Sequence, residues 1–184
     1  MNDDATAPAA RLRVDSIVTP SGGRIGMCAC PGARWIRHDG LDPEVTVRED
    51  VADIVRAGAE GLISLMEEVE LRRLELDALP VAVREAGLWW IHLPIRDMQP
   101  PGAPFERGWR EHGALVRERL RAGGHVVLHC FAGLGRTGTV AARLLVELGM
   151  PPRAAITAVR TVRPGAIQTF RQALHVRLCR SVRN

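Results

Sequence analysis

The chain has 184 residues, 46% of them hydrophobic and 25% charged, which suits one globular domain of ordinary composition. No charge-free apolar run approaches the roughly 18 residues of a membrane span, and the acidic start Met1-Asn2-Asp3-Asp4 is unlike a signal peptide, so the expected location is cytoplasmic. The net charge of +4 hides an asymmetry, because residues 107–184 hold 14 arginines against 3 glutamates; with 4% aromatics and no nucleic-acid motif, that basic half fits a small anionic substrate better than DNA or RNA.

Residues 1–13 read as a flexible tail, and residues 14–184 as a single catalytic domain. Val14, Ile17 and Val18 suggest an edge strand, and Gly22-Gly23 a turn into a second strand over Arg24–Cys28 that ends at Pro31-Gly32. Cys28 and Cys30 admit two readings: thiols that oxidise or share a metal with distant ligands, or small buried residues in a strand and its exit turn. No second pair stands at metal-site spacing. The four cysteines do not form a disulfide framework. Thr46 and Glu49 form a capping box for a helix carrying Val51, Ile54 and Val55. Leu62–Met66 reads as a buried parallel strand, followed by an acidic segment, Glu67 to Glu70, taken as a solvated face or a substrate rim, and by a helix running to Gly87.

Leu88–Leu93 is the next strand. It leads into a proline-rich loop in which Asp97 is the only acid between Glu85 and Glu106. A helix over Phe105–Arg121 places Trp109, Leu115, Val116 and Leu120 toward the core, and the His125–His129 strand follows. Then comes His129-Cys130-Phe131-Ala132-Gly133-Leu134-Gly135-Arg136-Thr137, with a helical pattern from about Gly138. Five residues separate the cysteine from the arginine, two of them glycine, so the backbone can curl its N–H groups inward around an anion while the helix adds its positive end. Such a field favours a nucleophilic thiolate at Cys130. Arg136 offers a planar fork for two phosphoryl oxygens, and the Thr137 hydroxyl can donate to the sulfur as it leaves. The chain contains no lysine, which excludes a Walker A loop. Further helices are expected from Pro151-Pro152 to Val162 and from Gln168 to about Val182, the last with Phe170, Leu174 and Leu178 facing inward. Strands alternating with helices imply an α/β fold: a central, mostly parallel sheet flanked by helices, with the site beyond the carboxyl ends of the strands.

The nonamer resembles the signature of the cysteine-dependent protein-tyrosine and dual-specificity phosphatases. Gly165-Ala166-Ile167-Gln168-Thr169 with Gln172 is similar to that family's glutamine loop, and His92-Leu93-Pro94-Ile95-Arg96-Asp97 to its general-acid loop. Together with Ile25-Gly26-Met27-Cys28-Ala29-Cys30-Pro31-Gly32, these motifs resemble the kinase-associated branch, over roughly residues 24–180. The resemblance implies hydrolysis of a phosphoprotein or small phosphoester through a cysteinyl-phosphate. It assigns Cys130 as nucleophile, Asp97 as acid and base, Arg136 and residues 131–135 (Phe131, Ala132, Gly133, Leu134, Gly135) as the phosphate cradle, Thr137 as an aid to sulfur release and Gln168 as the residue that positions water, with His129 and Gln172 in support. No metal or cofactor is expected. Three alternatives stand beside this reading: a non-catalytic phosphate-binding module, a phosphoinositide phosphatase, which would favour basic residues within 131–135 where there are none, and a rhodanese-like sulfurtransferase, which would not need Asp97 or Thr137.

Overall fold

The computed structural model describes residues 11–34 and 41–182. Five strands form one sheet: β1 (Asp15–Val18), β2 (Arg24–Cys28), β3 (Gly61–Ser64), β4 (Trp89–His92) and β5 (His125–His129), in the order β1-β2-β5-β3-β4. β1 pairs antiparallel with β2, and every other pairing is parallel. All residues of β3 and β5 are buried although neighbours point to opposite faces, so both faces of the sheet are covered. The covering helices are α1 (Pro43–Arg56), α2 (Glu68–Arg73), α3 (Leu79–Glu85), α4 (Ala103–Arg121), α5 (Gly135–Glu147), α6 (Pro152–Val162) and α7 (Phe170–Leu178). α5 packs on β2 and β5 with α6 and α7 beside it, whereas α1 and α3 pack on each other.

Several expected boundaries move. α1 starts at Pro43, with Asp42 as its cap accepting from the amides of Glu44 and Val45; the Thr46–Glu49 box does not form, and the Thr46 hydroxyl donates to Asp42 O instead. The single helix expected after Glu70 is two short ones, because Pro80 cannot continue a helix from Leu76 and Glu75 takes a positive φ of 54° between them. On α4 the buried stripe runs through Trp109, Gly113, Val116 and Leu120, leaving Leu115 exposed. α7 is shorter than expected and rotated: Gln172, Ala173 and Val176 are buried, while Phe170, Leu174 and Leu178 face out. Its Thr169–Gln172 capping box, tied through Gln172 Nε2 to Gln99 O at 3.3 Å, sets that rotation.

Residues 1–10 of the expected tail lie outside the described residues. Residues 11–13 lie against α1, where Asp53 accepts the Leu12 amide at 3.2 Å and pairs with Arg11 at 3.1 Å.

Candidate active site

Cys130 follows the last residue of β5 and is 3% exposed. Behind it the chain turns through residues 131–134 into α5, with Gly133 at φ 68°. Four successive carbonyls of this turn are engaged from outside. Phe131 O accepts the Cys30 amide at 2.9 Å, Ala132 O and Gly133 O accept Arg163 Nη2 and Nε at 3.1 and 2.6 Å, and Leu134 O accepts the amides of Gly138 and Ile167 at 2.9 and 3.3 Å. In a planar trans peptide the carbonyl and the following N–H point in opposite directions, so outward carbonyls at 131–134 turn the amides of 132–135 inward. The inward amides and the start of α5 make an anion nest.

Arg136 lies in the first turn of α5 rather than ahead of the helix, and its side chain is 1% exposed. Glu70 grips both terminal nitrogens, Nη1 to Oε2 at 2.6 Å and Nη2 to Oε1 at 2.9 Å. Nη1 also donates to Ile95 O at 3.1 Å, and Nη2 faces Asp97 Oδ1 at 3.1 Å. Nε is buried with no partner. One edge of the guanidinium is therefore fully used, while on the Nε–Nη2 edge Nε has no partner and Nη2 meets the Asp97 carboxylate, which leaves that edge donors to offer an oxyanion. Glu70 belongs to the acidic segment read as a solvated face or rim; it turns inward because its Oε2 also accepts the Glu67 amide at 2.7 Å in a capping box. The Glu67-x-x-Glu70 spacing signals the capping box in the sequence, but not the pairing with Arg136.

Asp97 sits on the loop between β4 and α4. That loop is held by Arg136 at Ile95 and, from the other side, by the start of α7: Thr169 Oγ1 reaches Met98 O at 3.5 Å, and Gln172 and Arg171 reach Gln99. Gln172 is fully buried in this support. Gln168 precedes α7, with its side chain exposed and its Oε1 against Gly135, 2.6 Å from where a Cβ there would stand. Its backbone is fixed by Ile167 at φ 57°, whose carbonyl accepts Arg160 Nη2 at 2.9 Å. Asp97 thus meets Arg136, and Gln168 meets Gly135, at the turn that follows Cys130. Thr137 Oγ1 is buried without a partner, so the hydroxyl-to-sulfur hydrogen bond expected from the sequence is absent in this rotamer. His129 is fully buried, which lowers its pKa to about 3 and keeps the ring neutral. Burial raises the pKa of Cys28 and Cys30 and so favours the thiol over the thiolate at both. Among the described residues, no group of three or more His, Cys, Asp or Glu side chains is placed to hold a metal ion.

A family model described as polymorphic toxin system, DSP-PTPase phosphatase, matches residues 42–150, a stretch that includes Glu70, Asp97, Cys130 and Arg136. The chain belongs to that phosphatase family. Cyclin-dependent kinase inhibitor 3 of Rattus norvegicus and of Homo sapiens is 29% identical over 151 residues, covering 80% of this chain and 68% of theirs. The crystal structure of kinase associated phosphatase, with its catalytic-site cysteine replaced by serine, superposes with a TM-score of 0.77 at 24% identity, over 91% of this chain and 93% of that one. Tk-PTP in its active form gives 0.63 at 26% identity, over 88% and 93%. The chain is a protein-tyrosine/dual-specificity phosphatase close to the kinase-associated branch, with the phosphoprotein or phosphoester substrates that such an enzyme implies. Among the described residues no helix is long and apolar enough to cross a membrane.

Proposed function

We propose that this phosphatase acts on phosphorylated protein side chains in two steps. Cys130 Sγ attacks phosphorus, the P–O ester bond breaks, and Asp97 gives its proton to the leaving oxygen. A water then attacks the cysteinyl-phosphate, Asp97 takes its proton, the S–P bond breaks and inorganic phosphate leaves. The inward amides of 132–135 and the Nε–Nη2 edge of Arg136 hold the non-bridging oxygens, and most strongly as charge builds on them. An incoming phosphate would take the place of the Asp97 carboxylate at Nη2, releasing Asp97 toward the leaving group. Gln168 positions the water. Thr137 serves the departing sulfur after its unpartnered hydroxyl rotates toward it.

The observation that carries this reading is the unpartnered Nε of Arg136, in the first turn of the helix that follows a nest whose four carbonyls are all engaged. Residues 131–135 contribute no basic side chain, which favours a phosphoprotein over a polyanionic phosphoinositide. All four cysteines are free, which suits a thiolate enzyme of the reducing cytoplasm.

The test is hydrolysis of p-nitrophenyl phosphate with reductant and chelator present, then of phosphotyrosine and phosphothreonine peptides. Wild type is expected to turn over and Cys130→Ser to be inactive. Asp97→Asn should lose more on phosphothreonine, whose alkoxide is the poorer leaving group, than on p-nitrophenyl phosphate. A wild type that binds tungstate but hydrolyses nothing would overturn the enzymatic reading in favour of a phosphate-binding module.

A further inference from the structure

The nest does not hold itself open. Two of its four outward carbonyls, Ala132 O and Gly133 O, are engaged by one side chain, Arg163, which stands just past α6. The Arg163 side chain is 13% exposed, and its remaining terminal nitrogen, Nη1, donates to Asp15 Oδ2 at 2.7 Å and more weakly to Met27 O at 3.4 Å. Asp15 is the first residue of β1, its side chain 11% exposed, and its other oxygen takes Arg13 Nε at 2.6 Å. A guanidinium that donates to two carbonyls needs its third nitrogen fixed to keep its plane, and a cation this buried needs a counter-charge. Asp15 supplies both.

We propose that Asp15 is a positioning residue for the phosphate cradle: acting through Arg163, it keeps the carbonyls of Ala132 and Gly133 turned outward and hence the amides of Gly133 and Leu134 turned toward the oxyanion. Both carbonyls belong to peptides whose N–H groups line the nest, so a tilt of the Arg163 plane rotates binding amides directly. The edge hairpin, which carries no reacting group, thereby becomes part of the binding apparatus. This rests on the reading of residues 130–136 as a phosphate site.

The experiment compares wild type with Asp15→Asn, Asp15→Glu, Arg163→Ala, the Asp15→Asn/Arg163→Ala double variant and Ser16→Ala. Tungstate affinity, the kcat and KM for p-nitrophenyl phosphate, and the Tm are measured for each. Ser16→Ala is the control for β1 itself, since Ser16 Oγ bonds His125 Nε2 at 3.2 Å and has no link to the cradle. Asp15→Asn is expected to weaken tungstate binding about tenfold and to lower kcat/KM by a similar factor, as a small misplacement of binding groups does. Asp15→Glu should restore most of both. The Asp15→Asn loss should vanish when Arg163 is already alanine, because the two act as a unit. The proposal is overturned if Asp15→Asn changes Tm without changing tungstate affinity, if Ser16→Ala weakens tungstate as much, or if the Asp15→Asn loss persists in the Arg163→Ala background. A wild type that neither binds tungstate nor hydrolyses the ester would overturn the phosphate-site reading and this proposal with it; a working wild type with unaltered Asp15→Asn overturns this proposal alone.

Discussion

Glu70 and Arg136, 66 residues apart in the chain, meet in a two-pronged ion pair that uses Oε1 on Nη2 and Oε2 on Nη1. The pair consumes one edge of the guanidinium and so decides which edge faces the substrate. Removing one partner of a fully buried pair costs about 3–5 kcal/mol; Glu70 is 22% exposed, so Glu70→Gln should cost less, about 2 kcal/mol. The larger effect should fall on catalysis, with kcat/KM down roughly 100-fold as Arg136 loses its aim. Urea unfolding and p-nitrophenyl phosphate kinetics on the same preparation separate the two; an unchanged kcat/KM would refute an aiming role for Glu70.

The turn at Gly133 is closed to any larger residue. Its φ of 68° disfavours an L side chain, and a Cβ there would stand 2.1 Å from Cys28 O, a backbone atom that cannot step aside. Gly133→Ala should therefore push the cradle off the end of β2 and abolish tungstate binding. Retained far-ultraviolet circular dichroism would show that the sheet survives. Gly123, also at positive φ but with open space around it, is the control: Gly123→Ala should leave tungstate affinity unchanged.

The cradle was legible in the sequence because it is contiguous: cysteine, glycines and arginine lie within one turn and the start of one helix. Asp97 stood out as the only acid between Glu85 and Glu106, and the structure sets it 3.1 Å from Arg136 Nη2. The supports were not, since Glu70, Arg163 and Asp15 reach their partners across 66, 30 and 148 residues, and nothing local distinguishes an arginine that clamps a carbonyl from one that is solvated. The order β1-β2-β5-β3-β4 is likewise a matter of long-range pairing, whereas the strands themselves were readable as short apolar runs. α7 shows the limit of periodicity. Phe170, Leu174 and Leu178 make a clean apolar stripe, yet the capping box at Thr169 and Gln172 and the close packing of Ala173 turn that stripe outward.

His129 contributes to the acid-side slope of the stability curve. Unfolded, it titrates near 6.5; folded, burial lowers it to about 3. Between those values the unfolded chain binds a proton that the native state refuses, so stability falls as pH drops from about 6.5 toward 3, by about 2 kcal/mol at pH 5. His125, also lowered by burial, acts in the same sense. Asp50, raised by burial, acts in the opposite sense. Urea midpoints at pH 7.5, 6 and 5 for wild type and His129→Gln isolate the His129 share, and the variant should show the shallower decline.

Gly135 offers a way to test the second chemical step without touching a reacting group. It opens α5, where alanine is a better helix former than glycine, so Gly135→Ala should leave the fold and the cradle amides intact. A Cβ there meets Gln168 Oε1 at 2.6 Å, the tip of an exposed and movable side chain, and Gln172 Nε2 at 3.1 Å, which is buried and held by its cap. Gln168 must therefore be the group that yields. If Gln168 positions the attacking water, Gly135→Ala will release the first equivalent of p-nitrophenol nearly as fast as wild type and then turn over roughly 100-fold more slowly, the scale of a lost proton-transfer geometry. Rapid-mixing measurements would reveal that burst. Gln168→Ala should behave alike, and the double variant should be no slower than either single one, because both changes remove the same interaction. A double variant that multiplies the two deficits would mean that Gly135→Ala disturbs the cradle itself, and a Gly135→Ala enzyme with no burst and an unchanged kcat would remove Gln168 from the hydrolytic step.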